Sequence, residues 1–360
     1  MILPYGYENK VIDFSANINP FGLSPNASKI LKDFKKLKFF TQNYPQIYPE
    51  PFIAALSRYH GIGKEHILPG AGATDLIFNI INFLNPKTTV IVEPSFSEYE
   101  RAAAAKAEKS KIIHIETCRS CNFELKGKSL SSLLKNIETL GKNDVVFAAS
   151  PSNPAGTIIN KEVIKFLLNL IKNKNAFLVL DESFMDFCEE FSSKSLLKKM
   201  RDYDNLIIIR SMTKFFAMPG QRLGYVFANP DITAKLGGTA APWKITSLSA
   251  EIAVESLWDE NYIGNTLSSI NNLKTELYGK LKRLKSLEII HGAANFILLK
   301  IKSDKFNAMD LKNYLLGCGV LIRYCGDYYG LNDKYFRIAV KKRTDNDFLI
   351  KKLKEFEYML

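Results

Sequence analysis

The sequence predicts an α/β fold, with a mainly parallel central sheet in a large domain and a small α+β domain at the carboxyl end. The first observation is that short apolar, β-branched runs alternate with helical stretches, which is the pattern of parallel strands joined by right-handed crossovers. The second is the length of 360 residues, which allows a well-buried core and two domains. We expect residues 1–40 to form an N-terminal arm that belongs to the small domain, residues 41–238 to form the large domain, and residues 239–360 to provide an interdomain helix and the small C-terminal domain.

The charge of the chain favours a small anionic substrate over a nucleic acid. The formal net charge is +12 at pH 7, and the pI is about 9.2. The lysines are scattered, however, and no basic run is interleaved with aromatic residues. Only ten arginines occur, and three of them (Arg222, Arg323 and Arg337) lie in distinctive motifs. Because the arginine fork holds a carboxylate or phosphate bidentately, these three are candidates for anion binding.

The cysteines and the hydropathy pattern predict the cellular compartment of the protein. The five cysteines are irregularly spaced, and the single Cys118-x-x-Cys121 pair has neither a second pair nor a histidine cluster near it. We therefore predict no metal site and a reducing compartment. The sequence contains no N-terminal signal and no apolar run of about 18 residues. These features predict a cytoplasmic protein that does not span a membrane.

Lys214 is the residue around which the other motifs are arranged. The apolar run 206–209 predicts a buried strand that ends just before it, and open α/β sheets bind their ligands at such strand ends. Ser211, Thr213 and Arg222 have spacings that can bring two hydroxyls and a guanidinium together as an anion site. A lysine considered in isolation is most often a solvated surface charge. An amine beside a phosphate-sized anion site, in contrast, is the arrangement that pyridoxal 5'-phosphate requires.

The segment 211–225 resembles the lysine motif of fold-type I pyridoxal-phosphate enzymes, with a serine three residues before Lys214 and an arginine eight residues after it. More narrowly, TKFFAMPGQRLG at 213–224 is similar to the L-threonine O-3-phosphate decarboxylases of cobamide synthesis, to which the histidinol-phosphate aminotransferases are near relatives. Gln221 stands where that family would have leucine. The resemblance extends over residues 13–340 and implies the fold-type I fold, with pyridoxal phosphate linked covalently to the lysine. It assigns the cofactor phosphate to three residues of this segment: Ser211, Thr213 and Arg222.

Two N-terminal motifs extend the resemblance to the substrate and to a second subunit. Residues 12–22, IDFSANINPFG, are rich in turn formers and are similar to the arm of the decarboxylase family that folds over the substrate. The resemblance assigns substrate contacts to Ser15, Ala16 and Asn17. Tyr48 lies in a proline-rich stretch and matches the family tyrosine that reaches the cofactor phosphate of the neighbouring subunit, which implies a homodimer with shared active sites. The alternative is that Tyr48 packs under a proline-rich loop.

A glycine-rich turn and an aromatic residue extend the predicted cofactor site. Residues 69–74, PGAGAT, precede an amphipathic helix predicted over 75–84, and a helix start of this kind offers backbone N–H groups and a positive dipole end to a phosphate. This signal is weak by itself, because many loop–helix junctions contain two glycines. The resemblance places Phe96 flat against the pyridine ring, and the alternative is a core phenylalanine. It assigns the cofactor phosphate to three further residues: Gly72, Ala73 and Thr74.

Two polar residues follow predicted strands. Asn153 follows the predicted strand 144–149 in an Asn-Pro-x-Gly turn signature, and the resemblance gives it a hydrogen bond to the phenolic oxygen of the cofactor. Asp181 follows the predicted strand 176–180, where a carboxylate buried without a partner would be costly. The protonated pyridine nitrogen would be its cation. Phe184 stands where many aminotransferases have a tyrosine that donates to the same phenolic oxygen.

The C-terminal part contains two arginines in strand-like apolar runs, where an arginine is either paired or functional. The resemblance implies that Arg337 holds an acidic group of the substrate, typically its carboxylate, and that Arg323 contributes to binding its phosphate. The implied reaction is decarboxylation of L-threonine O-phosphate or L-serine O-phosphate, which gives aminopropanol phosphate or ethanolamine phosphate.

Two other functions remain open from the sequence. Transamination of histidinol phosphate with 2-oxoglutarate uses the same cofactor and lysine, so Lys214, Asp181 and Asn153 do not discriminate between the two reactions. The similarity of residues 13–22 and of the Arg323 segment to the decarboxylases favours decarboxylation. A basic cofactor-binding regulator without catalysis is not favoured, because no DNA-binding segment is appended.

Overall fold

A computed structural model of the chain describes residues 11–106, 110–189 and 194–358. The described residues form thirteen strands: β1 (Ile12–Asp13), β2 (Ile67–Gly70), β3 (Thr88–Glu93), β4 (Lys111–Glu116), β5 (Val145–Ala149), β6 (Phe177–Asp181), β7 (Leu206–Ser211), β8 (Gly224–Phe227), β9 (Leu287–Ile290), β10 (Phe296–Ile301), β11 (Val320–Leu321), β12 (Arg323–Tyr324) and β13 (Tyr335–Ala339). They also form twelve α-helices: α1 (Pro25–Ile30), α2 (Phe34–Gln42), α3 (Glu50–His60), α4 (Ala73–Leu84), α5 (Glu98–Ala104), α6 (Lys128–Ile137), α7 (Lys161–Lys172), α8 (Pro230–Thr239), α9 (Ser247–Trp258), α10 (Glu260–Leu281), α11 (Ala308–Gly317) and α12 (Arg343–Glu357).

Seven strands form the central sheet, in the order β2-β8-β7-β6-β5-β3-β4. Strands β4, β3, β5, β6 and β7 run parallel, and β8 is antiparallel to both β7 and β2. Neighbouring residues of β5, Val145 and Val146, belong to different hydrophobic clusters, because helices cover the sheet on both faces. This double burial explains the continuous apolar runs in the sequence. The prediction of a mainly parallel sheet is confirmed.

The carboxyl ends of β5, β6 and β7 lie side by side. Asp181 at the end of β6 pairs in register with Ala149 of β5 and with Ile209 of β7. Since parallel strands end at the same edge of a sheet, the segments that follow these strands meet there. This edge therefore brings Asp181 together with the segments that carry Asn153 and Lys214.

Four antiparallel strands form a second sheet, in the order β12-β13-β10-β9. Arg323 of β12 lies directly opposite Arg337 of β13. A short parallel ladder joins β1 to β11, and Phe14, just after β1, is buried in the cluster that the C-terminal elements form. The N-terminal segment therefore packs into the C-terminal core and lies next to the second sheet.

Helix and strand boundaries differ from the sequence predictions in a few places. The sequence of residues 243–258 predicts a helix, but the helix begins at Ser247, because Trp243 has φ +56° and Thr246 caps the helix through its side chain. Asp181, expected just after a strand, is the last residue of β6. The sequence of residues 261–285 predicts a long helix, and the corresponding helix, α10, spans Glu260–Leu281.

Three further properties concern membrane helices, cysteines and metal sites. No helix within the described residues is long and apolar enough to cross a membrane. All five cysteines are free thiols. The three described ranges contain no cluster of three or more side chains that could hold a metal ion.

Candidate active site

Lys214 lies three residues beyond the end of β7, at the edge of the central sheet where the parallel strands end. Its carbonyl accepts hydrogen bonds from Asn19 N at 3.0 Å and from Ala217 N at 3.3 Å, which hold the backbone in place. Burial disfavours the ammonium form, and the positive charges of Arg337 and Arg222 add to this effect, so the pKa of Lys214 is lowered to about 8. An appreciable fraction of the side chain is therefore a neutral amine near neutral pH, which is the nucleophilic form.

Two hydroxyls lie just before this lysine. Ser211 is the last residue of β7, and its Oγ lies 2.8 Å from Thr213 Oγ1. The backbone N–H of Thr213 also donates to Ser211 Oγ, at 3.3 Å. Both residues are buried. The pair therefore presents hydroxyl groups at the strand end in a fixed geometry.

The start of α4 lies beside Arg222. Gly72 precedes the helix with φ +95°, a conformation that favours glycine. A Cβ atom at Gly72 would lie 3.1 Å from Arg222 Nη2, and one at Gly224 would lie 2.9 Å from Ala73 N. Gly224 pairs with the last residue of β7, so the helix start and the two hydroxyls are neighbours. With Thr74 in the first turn of α4, the structure brings together the residues predicted to hold a phosphate.

Asp181 is buried, and its hydrogen bonds come from neutral groups. Tyr99 Oη donates to Asp181 Oδ2 at 2.6 Å, and the backbone N–H of Ser183 donates to Oδ1 at 2.8 Å. Burial, followed by the charge of Asp181, raises the pKa of Tyr99. No lysine, arginine or histidine in the described ranges forms an ion pair with Asp181. The carboxylate is thus buried and held in place without a protein cation, as expected if a ligand supplies the cation.

Phe96 contacts Tyr99, the residue that donates a hydrogen bond to Asp181. The two rings meet edge to face, with centroids 6.0 Å apart and an interplanar angle of 89°. Tyr99 in turn stacks on Phe147, with centroids 5.0 Å apart. Phe96 is only partly buried.

Arg337 is 5% exposed, and its hydrogen-bond partners are neutral oxygens. Its Nη1 donates to Asn153 Oδ1, and its Nη2 donates to the Ser15 carbonyl at 2.6 Å. Its Nε has no hydrogen-bond partner in the part of the chain that the structure describes. The guanidinium is therefore held at the site with part of its hydrogen-bonding capacity unused.

Arg323 reaches the same region from β12. Its Nη2 pairs with Asp327 Oδ2 at 2.9 Å, and its guanidinium lies over the ring of Tyr328, 5.0 Å from the centroid. Tyr328 Oη lies 3.5 Å from Asn153 Oδ1, the atom that also accepts from Arg337. The two arginines are thus connected through Tyr328 and Asn153.

The N-terminal segment contacts Arg337. The Ser15 carbonyl accepts from Arg337, while the Ala16 N–H donates to Asp13 Oδ1 at 3.3 Å. The Asn17 carbonyl accepts from Asn295 Nδ2 at 3.1 Å, and Asn17 Oδ1 is buried with no hydrogen-bond partner among the described side chains and backbone. The structure therefore brings the predicted arm residues to Arg337.

Tyr48 is the one predicted site residue that the structure does not bring to this cluster. Its side chain is 53% exposed. One of its neighbours is Gly237 of α8, where an added Cβ would lie 3.5 Å from Tyr48 Oη. Within the described residues, Tyr48 forms no hydrogen bond to any residue around Lys214.

Sequence reasoning did not assign Tyr99, Tyr328 or Asn19 to the site. Tyr99 contacts Asp181 across 82 residues, and Tyr328 contacts Asn153 across 175 residues. Asn19 donates to the backbone of Lys214 and, through Nδ2, to the Phe215 carbonyl at 2.9 Å. Their positions in the sequence could have indicated a role in the site. Asn19 lies within the motif 12–22, Tyr99 is three residues after Phe96, and Tyr328 is five residues after Arg323.

These residues fit pyridoxal phosphate. An anion site of hydroxyls, a helix start and a guanidinium lies beside a lysine with a lowered pKa, and a buried carboxylate without a protein cation lies at the end of the adjacent strand. Ser183 Oγ is also buried and has no hydrogen-bond partner within the described ranges. Because buried polar groups rarely remain unpaired, a polar ligand at this edge would account for them.

Comparison with known proteins agrees with this fit. A threonine-phosphate decarboxylase of Salmonella typhimurium is 29% identical over 347 residues, which covers 96% of this chain and 91% of that protein. An adenosylcobalamin biosynthesis bifunctional protein of Leptospira interrogans is 32% identical over 351 residues, which covers 95% of this chain and 38% of that protein. The structure of a histidinol-phosphate aminotransferase from Clostridium acetobutylicum superposes with a TM-score of 0.87 at 28% identity, and covers 97% of this chain and 100% of that chain.

The predicted fold-type I fold is therefore confirmed. The family model for aminotransferase class I and II matches residues 9–353. On this match over nearly its whole length, the chain belongs to the aminotransferase class I and II family.

Proposed function

We propose that this protein is a pyridoxal-phosphate-dependent decarboxylase of an L-amino acid O-phosphate, either threonine or serine phosphate, and that it serves cobamide synthesis. The observation that carries the proposal is the pair of facing arginines, Arg323 and Arg337, of which Arg337 is close enough to Lys214 for its charge to lower the lysine pKa. Two guanidiniums at one site suit a substrate with two acidic groups. The similarity to the Salmonella threonine-phosphate decarboxylase supports the same substrate class.

The proposed roles on the cofactor side follow from the contacts. Lys214 would hold the cofactor covalently until the amine of the substrate replaced it there, and the freed lysine amine would return a proton to the α carbon of the substrate. Asp181 would pair with the pyridine nitrogen, with Tyr99 keeping the carboxylate in place. Because Asn153 Oδ1 accepts from Arg337, its amide NH₂ is left to donate to the phenolic oxygen. Bound pyridoxal phosphate would supply the electron sink for the pair that remains when carbon dioxide leaves.

The remaining cofactor contacts concern the phosphate and the ring. Phe96 would cover one face of the ring. The phosphate would bind at the start of α4 and the end of β7, where backbone N–H groups, hydroxyls and a guanidinium meet. The residues proposed for it are Gly72, Ala73, Thr74, Ser211, Thr213 and Arg222.

The substrate side would determine which bond breaks. Arg337 would hold the carboxylate, Arg323 would hold the phosphate, and Ser15, Ala16 and Asn17 would close over the substrate. The bond that breaks is the one held perpendicular to the plane of the cofactor ring, so two fixed acidic groups set the orientation of the α carbon. Phe184, which packs edge to face on Phe296 at 5.0 Å, offers no hydroxyl to the cofactor.

The proposal includes a homodimer in which Tyr48 completes the site of the partner subunit. The side chain is exposed and lies away from the Lys214 cluster of its own subunit, and exposed aromatic residues lie near it in the chain, including Tyr44, which contacts Trp243 with ring centroids 5.6 Å apart. A mixture of Lys214→Ala and Tyr48→Ala proteins tests this arrangement. Mixed dimers would contain one intact site, so activity should return to about a quarter of the wild-type value. A mixture as inactive as its components would contradict a shared site.

A cytoplasmic location is part of the same proposal. It rests on the five free cysteines, which suit a reducing compartment.

The competing function is transamination of histidinol phosphate, favoured by the similarity to the Clostridium aminotransferase. Product analysis decides between the two reactions. We expect L-threonine O-phosphate or L-serine O-phosphate, supplied without any oxo acid, to yield carbon dioxide and a phosphorylated amine, with Lys214→Ala as the inactive control. If neither releases carbon dioxide and histidinol phosphate with 2-oxoglutarate yields glutamate, the decarboxylase proposal is wrong.

A further inference from the structure

The segment 325–331 follows β12 and crosses from the second sheet to the edge of the central sheet. The N–H of Tyr328 donates to the Cys325 carbonyl at 3.1 Å, and the N–H of Leu331 donates to the Tyr328 carbonyl at 3.1 Å, so the segment is a compact turn. At its far end the ring of Tyr329 stacks on His114 of β4, with centroids 4.0 Å apart and planes within 11°. These contacts fix Tyr328 between the two sheets.

The hydroxyl of Tyr328 lies at the meeting point of the substrate and cofactor residues. It is 3.5 Å from Asn153 Oδ1, the outer limit for a hydrogen bond. The same oxygen accepts from Arg337 Nη1. The hydroxyl and the guanidinium therefore converge on one small region, and the long contact leaves the hydroxyl proton available for a better acceptor.

The ring of Tyr328 has a separate neighbour. The Arg323 guanidinium lies over its face, 5.0 Å from the centroid, in a cation–π arrangement. The phenol thus has Arg323 at its face and Arg337 near its hydroxyl. A ligand held by both arginines would have to pass alongside Tyr328.

We infer that Tyr328 is a substrate-binding residue whose hydroxyl donates a hydrogen bond to the acid group that Arg337 holds. This inference rests on the proposed function, in which that group is the α-carboxylate. A carboxylate bound to Arg337 still has lone pairs to offer, and a hydrogen bond to a charged acceptor is stronger than the long contact with Asn153. Tyr328 thereby distinguishes an amino acid phosphate from the phosphorylated amine that lacks the carboxylate.

The test compares Tyr328→Phe with Tyr329→Phe, which keeps the ring that stacks on His114. For each variant, KM and kcat for the phosphorylated amino acid are measured, together with the inhibition constant of the phosphorylated amine product. We expect Tyr328→Phe to raise KM by about tenfold or more, with a small change in kcat and an unchanged inhibition constant for the amine. Tyr329→Phe should leave all three values, and the absorbance of the bound cofactor, at wild-type levels.

Two outcomes would overturn the inference. An unchanged KM in Tyr328→Phe, with or without a lower melting temperature, would mean that the hydroxyl has only a structural role. Equal weakening of the amino acid and the amine would mean that it does not contact the carboxylate. A wild-type enzyme that releases no carbon dioxide overturns the proposed function instead, and in that case calorimetric dissociation constants for the same two ligands still decide the role of Tyr328.

Discussion

Arg210 and Arg337 are both buried arginines on strands that border the candidate site, but their surroundings differ in charge. Arg210 lies 2.8 Å from Glu182 and 3.0 Å from Asp186, and all three side chains are at most 2% exposed. Arg337 binds an amide oxygen and a backbone carbonyl, and no carboxylate in the described residues forms an ion pair with it. One guanidinium is neutralised within the fold, whereas the other is not.

This difference distinguishes a charge that the fold neutralises from a charge that the proposed function uses. A buried ion needs an opposite charge, because desolvation of an isolated ion is costly. Arg210 receives that charge from its own chain, where burial raises the pKa values of Glu182 and Asp186 and Arg210 opposes the shift. Arg337 and Lys214, in contrast, lie close enough that the charge of Arg337 lowers the lysine pKa. An excess of positive charge beside unpaired hydrogen-bond donors is typical of a site that binds an anion.

The largest effect is expected at Lys214, which in the cofactor-free protein is a buried amine without a partner charge. Lys214→Met should abolish turnover. Because the folded pKa is about 8 and the unfolded value 10.5, the unfolded chain binds more protons between these values, so wild-type stability rises as pH increases through this window. Cofactor-free Lys214→Met should therefore be more stable than wild type by on the order of 3 kcal/mol at pH 7 and by less than about 1 kcal/mol at pH 10.

Urea unfolding of the cofactor-free proteins at the two pH values measures this difference. Lys235→Met removes an exposed lysine and is the matched control, which should show no such pH dependence. If the advantage of Lys214→Met is the same at both pH values, Lys214 does not carry the lowered pKa.

Removing Arg210 from its ion pairs with Glu182 and Asp186 should lower the free energy of unfolding and leave substrate affinity unchanged. Arg210→Met leaves Glu182 and Asp186 buried together, and we expect a loss of about 3–5 kcal/mol in the free energy of unfolding. Adding Glu182→Gln and Asp186→Asn removes the stranded charges and should restore part of that loss. Denaturant unfolding measures both proteins. A raised KM in the folded fraction of either variant would show that Arg210 also serves the site.

Removing Arg337, which has no ion pair within the described residues, should have a larger effect on activity than on stability. Arg337→Gln should reduce kcat/KM by roughly 30-fold to several thousandfold, corresponding to about 2–5 kcal/mol. The loss of stability should be smaller than in Arg210→Met, because hydrogen bonds to two neutral oxygens are lost but no protein ion pair is. It should also move the pKa of Lys214 upward from about 8, since the charge of Arg337 helps to lower it. The rate at which the cofactor-free protein captures pyridoxal phosphate, followed against pH, reports that shift.

Arg343→Gln is the control for this variant, because Arg343 forms an exposed ion pair with Glu276. Wild-type kinetics in Arg337→Gln would mean that the substrate is held elsewhere.

The smallest effect is expected at Asp327, the carboxylate paired with Arg323. The pair is partly exposed, with Asp327 52% accessible, so it contributes about 0.2–1 kcal/mol. Asp327→Asn frees Arg323 for the substrate phosphate and should lower KM for phosphorylated amino acids a few-fold. Asp304→Asn, an exposed carboxylate outside the site, is the control in the same steady-state assay. A higher KM in Asp327→Asn would indicate that Asp327 positions Arg323 and does not compete with the substrate.

The sequence by itself determined the parallel sheet and the position of the lysine. Each parallel strand is a contiguous apolar run. Asp181 is the last residue of β6, and Lys214 lies three residues after the end of β7. Because these residues lie close in sequence to the strand ends, their meeting at one edge of the sheet could be predicted. This holds for Asp181, Lys214 and the hydroxyls of Ser211 and Thr213. The helix start near Gly72 could be recognised for the same reason.

Only the tertiary structure decided which buried charges have a partner of opposite charge within the chain and which do not. Arg210 and Ser211 are adjacent in β7, yet successive strand residues point to opposite faces, so one meets Glu182 and Asp186 while the other meets Thr213. Arg337 reaches Asn153 across 184 residues and Ser15 across 322 residues. Charge balance depends on distances in space between such segments, and the order of residues along the chain does not contain those distances.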